Sequence, residues 1–146
     1  VISGAPQQSV ELDLHPDKHH GGRPFLTHER FLLAPADAHA VKPGKLYRLM
    51  DCLNFRKEGE KLVFDSREVE AYRKNGERIM HWLPAEKKGE LATIEIVMPD
   101  NGRITGIAET GIKQLKVGDT IQFERFGFCK LDAVEPGKHV FWYCHR

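Results

Sequence analysis

TIQFERFGFCKL, Thr120 to Leu131, alternates Ile121 and Phe123 on one side and restarts an apolar face with Phe126 and Phe128 beyond Gly127. The pattern predicts a strand bent at the glycine, because a glycine inside a strand marks a bulge or a tight bend. Gln122 and Arg125 set an amide and a guanidinium on this otherwise apolar, aromatic ribbon. Those groups suit hydrogen bonding to exposed base edges and phosphates. They equally suit the wet face of a barrel strand, and the pattern alone leaves both readings open.

Working outward, Lys116-Val117-Gly118-Asp119 turns the chain into this stretch, and a Pro-Gly turn at Glu135–Lys138 leads to the closing strand HVFWYCHR. Aromatic residues at the end argue for a strand tied into its sheet. Upstream, Ala92, Ile94, Ile96 and Met98 alternate with Thr93, Glu95 and Val97, the clearest period of two in the chain. Pro99-Asp100-Asn101-Gly102 is a turn by composition, so Arg103–Ala108 is expected to return antiparallel.

In the first half, VISGAPQQ (residues 1–8) reads as a tail or linker. Val10, Leu12 and Leu14 then alternate with Glu11, Asp13 and His15 up to a stop at Pro16. His15 to Phe25 is rich in turn formers, and Gly21-Gly22 permits unusual backbone angles, predicting a loop that presents Arg23. Strands are expected at Thr27–Leu33, Lys45–Asp51 (continuing toward Phe55), Leu62–Phe64 and Ile79–Leu83, the last stopped by Pro84. The Ala/Pro-rich link 34–45 has room for one helical turn at most. KEGEK (57–61) is a hairpin tip, and Ser66 is expected to cap a short helix ending at Gly76. His81 and Trp82 lie within reach of a base, although a buried Trp anchoring the core is the commoner role. Short strands between closely spaced turn signals define an all-β barrel architecture with minor helix.

The chain has 146 residues, 29% of them charged, and a net charge of +1. Such a balance excludes binding nucleic acid by charge alone, so any RNA recognition must be local. Val1 as first residue fits a fragment of a longer chain. No apolar run approaches the roughly 18 residues of a membrane span, and a soluble, cytoplasmic protein is expected. Cys52, Cys129 and Cys144 form no CxxC pair and read as reduced thiols. His15, His19 and His20 invite a zinc reading, but no Cys lies near them and no metal is expected. There is no GxxxxGK loop, and His19-His20-Gly21-Gly22 is not the phosphate-gripping HxGH element of class I synthetases. No spacing joins a Ser/His/Asp or Cys/His set, so no catalytic residue is assigned.

Four ordered motifs carry a resemblance: HPDKHHGGR (His15–Arg23), LYRLMDCLN (Leu46–Asn54), IMHWLP (Ile79–Pro84) and KVGDTIQFERFGFCKLD (Lys116–Asp132). Together, over about residues 9–146, they resemble the C-terminal anticodon-binding domain of archaeal-type glutamyl-tRNA synthetases. A related domain occurs in glutaminyl-tRNA synthetases, but the ending Val140–Arg146 is similar to the glutamyl branch. The resemblance implies two small β-barrels of the ribosomal L25-like kind. The proximal one would take about residues 10–55 and 115–146, the distal one about 56–114. It implies a tRNA-binding, non-catalytic part of a ligase whose ATP and magnesium act elsewhere in the parent enzyme, with that enzyme's catalytic domain and other synthetases as further partners.

By matching motif, Arg23 in GGR and Gln122 in QFER resemble the pair that reads the middle anticodon uridine in the glutaminyl relatives, and the topology of the family would bring them together. Arg125 resembles a supporting basic residue, and Lys74 and Arg78, near IMHW, are matched loosely to arginines that read the flanking bases. The chemistry suits the task, since uracil's edge offers two carbonyl acceptors and one N–H, which an Arg and a Gln amide can satisfy between them. Each residue also has a plainer reading, as a surface Arg on a glycine-rich loop or an internal ion pair. A different class also stays open: a barrel serving as a protein-interaction module, favoured by the near-neutral charge.

Overall fold

Strand follows strand in the computed structural model, which describes residues 1–87 and 89–146, and helix is confined to short segments. The protein is all-β with minor helix. Its chain divides into two units, one spanning Val1–Lys87 and the other continuing to Arg146.

The first unit runs β1 (Ile2–Ser3), β2 (Gln8–His15), β3 (Lys18–Thr27), β4 (Phe31–Leu33), α1 (Pro35–His39), β5 (Leu46–Leu49), β6 (Leu53–Glu58), β7 (Lys61–Ser66), α2 (Val69–Asn75), β8 (Gly76–Met80) and β9 (Trp82–Pro84). One sheet takes the order β1-β7-β6-β5-β8, while β2–β3 and β4–β9 are two-stranded ribbons. Tyr47, Leu49, Leu53, Phe55 and Met80 fill the core beneath it. Trp82 is the anchor that its type suggested: it meets Phe25 and Phe31 edge-on, each at 5.5 Å, and its indole N–H donates to the Met50 carbonyl at 2.8 Å.

Several expectations need correcting in this unit. Residues 1–8 hold more than a tail, since Ile2 and Ser3 pair in parallel with Leu62 and Val63 and Ile2 is only 2% exposed. A two-residue strand with a non-local partner leaves no period to read. The expected loop around Gly21-Gly22 is strand β3, paired with β2 from His15↔Lys18 to Gln8↔Thr27. Both glycines take positive φ (69° and 109°), so the strand absorbs a twist that other residues resist. Ile79–Leu83 is not one strand: β8 pairs with β5 and β9 with β4, with the break at His81. Ser66 caps no helix. Its hydroxyl donates to Asp65 and accepts from Asn54, and α2 starts at Val69 instead.

The second unit holds β10 (Ala92–Val97), β11 (Arg103–Ala108), a 3-10 turn at Thr110–Gln114, β12 (Thr120–Phe123), β13 (Gly127–Glu135) and β14 (Lys138–His145). These make one sheet in the order β11-β10-β14-β13-β12, curled as a half-barrel. Ile94, Ile96, Cys129, Leu131 and Phe141 fill its concave core. Burial lifts the Cys129 thiol to about 11, which makes it a packing group. Two pairings are parallel and non-local, β5 with β8 and β10 with β14.

Candidate nucleic-acid interface

TIQFERFGFCKL folds as a tight hairpin, in place of the single bent strand that its pattern suggested. Thr120–Phe123 pairs antiparallel with Gly127–Lys130, and Glu124-Arg125-Phe126 forms the tip. The Phe126 N–H donates to the Phe123 carbonyl at 3.0 Å, closing a turn whose third residue, Arg125, has φ 63°. A positive angle there is the type II pattern, which favours Gly or Asn. Gly127, at φ 150°, is required by packing, because a Cβ would lie 2.7 Å from the His145 carbonyl oxygen. Alternation inside the strand survives: Ile121 and Phe123 face the core, while Thr120 and Gln122 are exposed on the outer face.

Directly paired residues point to one side of a sheet, so the outer face can be followed strand by strand. Thr120 opposes Lys130, Lys130 opposes Trp142, Trp142 opposes Val97, and Val97 opposes Arg103. The next row places Gln122 opposite Phe128, whose ring lies 4.8 Å from that of His145. Trp142 is 56% exposed. The sequence reading missed it, although the signal was there: in HVFWYCHR, Phe141 points to the core, so Trp142 must point away. Beside this row Glu95 is buried and holds Arg103 and Lys138, each at 2.5 Å. Hydrogen bonds from Arg103 first, and then Lys138, keep its carboxyl below the usual range.

Arg23 belongs to the first unit and sits on β3 opposite Leu12, half-buried. Its guanidinium donates to the Asp13 carbonyl at 3.2 Å and lies 5.9 Å from the centre of the Phe25 ring. Instead of being presented by a loop, it is folded along its own ribbon. Arg78, on β8, donates to Asp37 at 3.2 Å, a structural tie to a buried carboxylate of α1. Lys74 is exposed in the last turn of α2. Of the LYRLMDCLN motif, Arg48 and Asn54 turn inward: Arg48 donates to Asn54 and to the Arg67 carbonyl, and Asn54 donates to Ser66 and the Glu68 carbonyl. That network holds the entry to α2. No group of three or more His, Cys, Asp and Glu able to hold a metal occurs among the described residues, and none of their helices is long and apolar enough to cross a membrane.

Residues 79–132 match the family model described as class I tRNA synthetases (E and Q), anti-codon binding domain. Over that stretch the chain is similar to the family's anticodon-binding domains. The curated proteins it resembles include glutamate–tRNA ligases of archaea. It is 37% identical over 137 residues to the glutamate–tRNA ligase of Methanothermobacter thermautotrophicus, covering 94% of this chain and 24% of that protein. It is 34% identical over 146 residues to that of Methanosphaera stadtmanae (99% and 25%) and 31% identical over 154 to that of Methanocaldococcus jannaschii (100% and 26%). The chain thus spans about a quarter of the length of the curated relatives it matches.

Proposed function

We propose that this chain reads the anticodon loop of glutamate tRNA as the C-terminal part of a cytoplasmic glutamate–tRNA ligase. The observation that carries the reading is the QFER hairpin, which exposes Gln122 and sets Arg125 at its tip within the stretch similar to the anticodon-binding family. Gln122 and Arg23 are assigned to the middle uridine, each on the strength of its own motif. Arg125 supports the adjoining backbone, and Lys74 and Arg78 are assigned to the flanking bases. An unstacked loop base exposes the edge that such groups can read.

Aminoacylation, with its ATP and magnesium, is assigned to the catalytic domain of the parent polypeptide, leaving the isolated chain inactive as a ligase. Binding energy gained at the anticodon would align the acceptor end at that remote centre and act through turnover as well as affinity. Glutamine tRNA shares the middle uridine, so the parent could be a glutaminyl enzyme, which charging of both tRNAs by the full-length protein would separate. The net charge of +1 favours a second reading, a module holding another synthetase, which capture with and without ribonuclease would reveal.

The direct test is binding of this chain to a glutamate anticodon stem-loop and to one whose middle uridine is replaced. The expected preference for uridine is about 1–3 kcal/mol, by analogy with bidentate base contacts. It should shrink in both Arg23→Ala and Gln122→Ala. Indifference to that base would remove the assignment.

A further inference from the structure

On the outer face of the second unit's sheet, we propose that Trp142 is a stacking platform for an unpaired base of the RNA loop, with Lys130 beside it as the phosphate contact. The inference rests on the anticodon reading above and extends it to two residues to which the resemblance assigns no role.

Three observations converge on it. A tryptophan on a core-closing strand is normally buried, and Trp82 in the first unit is, yet Trp142 stands 56% exposed between Phe141 and Tyr143, which turn inward. Its immediate cross-strand neighbours are Lys130 on one side and Val97 on the other, with Arg103 beyond Val97 and Thr120 beyond Lys130. That row carries two cations and no anion. The carboxylate of Glu95, which shares this face, is taken up by Arg103 and Lys138, and Lys130 enters no ion pair among the described residues. Finally, Gln122 and the Phe128–His145 ring pair lie on the same side of the same sheet.

The chemistry of the row selects the occupant. An exposed indole face beside the ammonium of Lys130 on an open sheet matches a stacked base with its phosphate alongside, the arrangement that binds single-stranded nucleic acid. The centre of a protein-protein patch is instead depleted of charge and surrounds its aromatic residue with apolar contacts. Here Lys130 is an immediate neighbour of Trp142, opposite Val97, and Arg103 and Thr120 lie one strand further out on either side. Adjacent strands lie about 4.8 Å apart, so Lys130 is near enough to reach a phosphate of the nucleotide stacked on Trp142.

The experiment titrates the chain with the glutamate anticodon stem-loop and with a blunt duplex of the same stem lacking the loop, following tryptophan emission and affinity. Trp82 is buried, so a change at saturation reports on Trp142. The stem-loop should quench that emission and protect it from acrylamide, and both effects should disappear in Trp142→Phe. Trp142→Ala should weaken stem-loop binding by about 5- to 150-fold, the range for removing one base-aromatic stack, and Trp142→Phe by no more than about threefold. Lys130→Ala should flatten the salt dependence of binding by about one ion. Far-ultraviolet dichroism of each variant shows that the sheet is kept. Unaltered affinity in Trp142→Ala, or emission indifferent to saturating RNA, with uridine preference retained, overturns the stacking platform and leaves the anticodon reading standing. Failure of the unaltered chain to distinguish the stem-loop from the duplex overturns both.

Discussion

Two hairpins each carry one of the residues matched to the middle uridine, and they treat it in opposite ways. In β2–β3, the Arg23 side chain is folded back onto the Asp13 carbonyl and the Phe25 ring. In β12–β13, Gln122 stands on the open face and Arg125 occupies the tip. The first hairpin invests its polar groups in itself: the Gly21 N–H donates to Asp13 at 2.8 Å, the Gly22 N–H donates to Glu11 at 3.0 Å, and His19 lies 2.9 Å from Asp13. The second is seated from beneath on an apolar core through Ile121, Phe123, Cys129 and Leu131, which leaves Gln122 exposed on the outer face. A recognition surface is cheapest to maintain where packing on the other side of the sheet already fixes the backbone.

The sharpest way to break this contrast uses a glycine from each hairpin. Both Gly22 (φ 109°) and Gly127 (φ 150°) hold angles that side chains resist, but a Cβ at Gly22 would meet the side chain of Leu14, which is exposed and can give way. At Gly127 it would meet the His145 carbonyl oxygen and the Tyr143 ring, each at 2.7 Å. Gly127→Ala should therefore cost about 2–4 kcal/mol in urea denaturation, and Gly22→Ala about 1–2 kcal/mol, the strain alone. Equal losses would mean that the second hairpin is no more firmly seated than the first.

A smaller effect compares the first hairpin with the sheet that carries the second, by pH. Glu95 has its carboxyl held below the usual value of about 4.5 by Arg103 and then Lys138. A depressed folded-state pKa gives stability that is complete above the ordinary value and disappears as pH falls through the folded one. Glu95→Gln should lower the melting temperature at pH 7, and the gap from the unaltered chain should close as pH falls below about 4.5, where the protonated acid resembles the amide. Asp13 is depressed too, by His19 first and then by the Gly21 N–H, but on an exposed ribbon. Asp13→Asn should accordingly cost less than Glu95→Gln at pH 7. The reverse ranking would make the first ribbon the better anchored.

Local patterns were legible where both partners were close in sequence. The period of two at Ala92–Val97, the return at Arg103–Ala108 and the turn at Asn101, with its φ of 66°, follow from residues a few positions apart. The hairpin at KEGEK and the short α2 ending at Gly76 are of the same kind. What escaped were features set by distant partners: Ile2 on Leu62, the splitting of Ile79–Leu83 between two sheets, and β3, whose glycines and Pro24 imitate a loop. In the site, exposure of Gln122 was readable from alternation. Trp142 was equally readable and was passed over, because an aromatic ending looks like a core strand until its two faces are counted. The inward turn of Arg23 was not readable, since the Asp13 carbonyl that accepts from it is a backbone group with no sequence signature.

The finest test concerns Arg125, where the second hairpin departs from its own logic. The type II turn asks for glycine at its third residue, yet a long cationic side chain is held there at φ 63°. A non-glycine residue in this region costs on the order of 1 kcal/mol, partly offset because glycine is freer in the unfolded chain. Arg125→Gly should then leave stability unchanged or raise it by up to about 1 kcal/mol, while weakening stem-loop binding severalfold. Strain that is relieved without loss of stability but with loss of binding marks a position kept for its ligand. If Arg125→Gly instead destabilises the chain and binds RNA as before, the side chain serves the hairpin. The contrast between a self-satisfied first hairpin and an outward-facing second one would then rest on Gln122 alone.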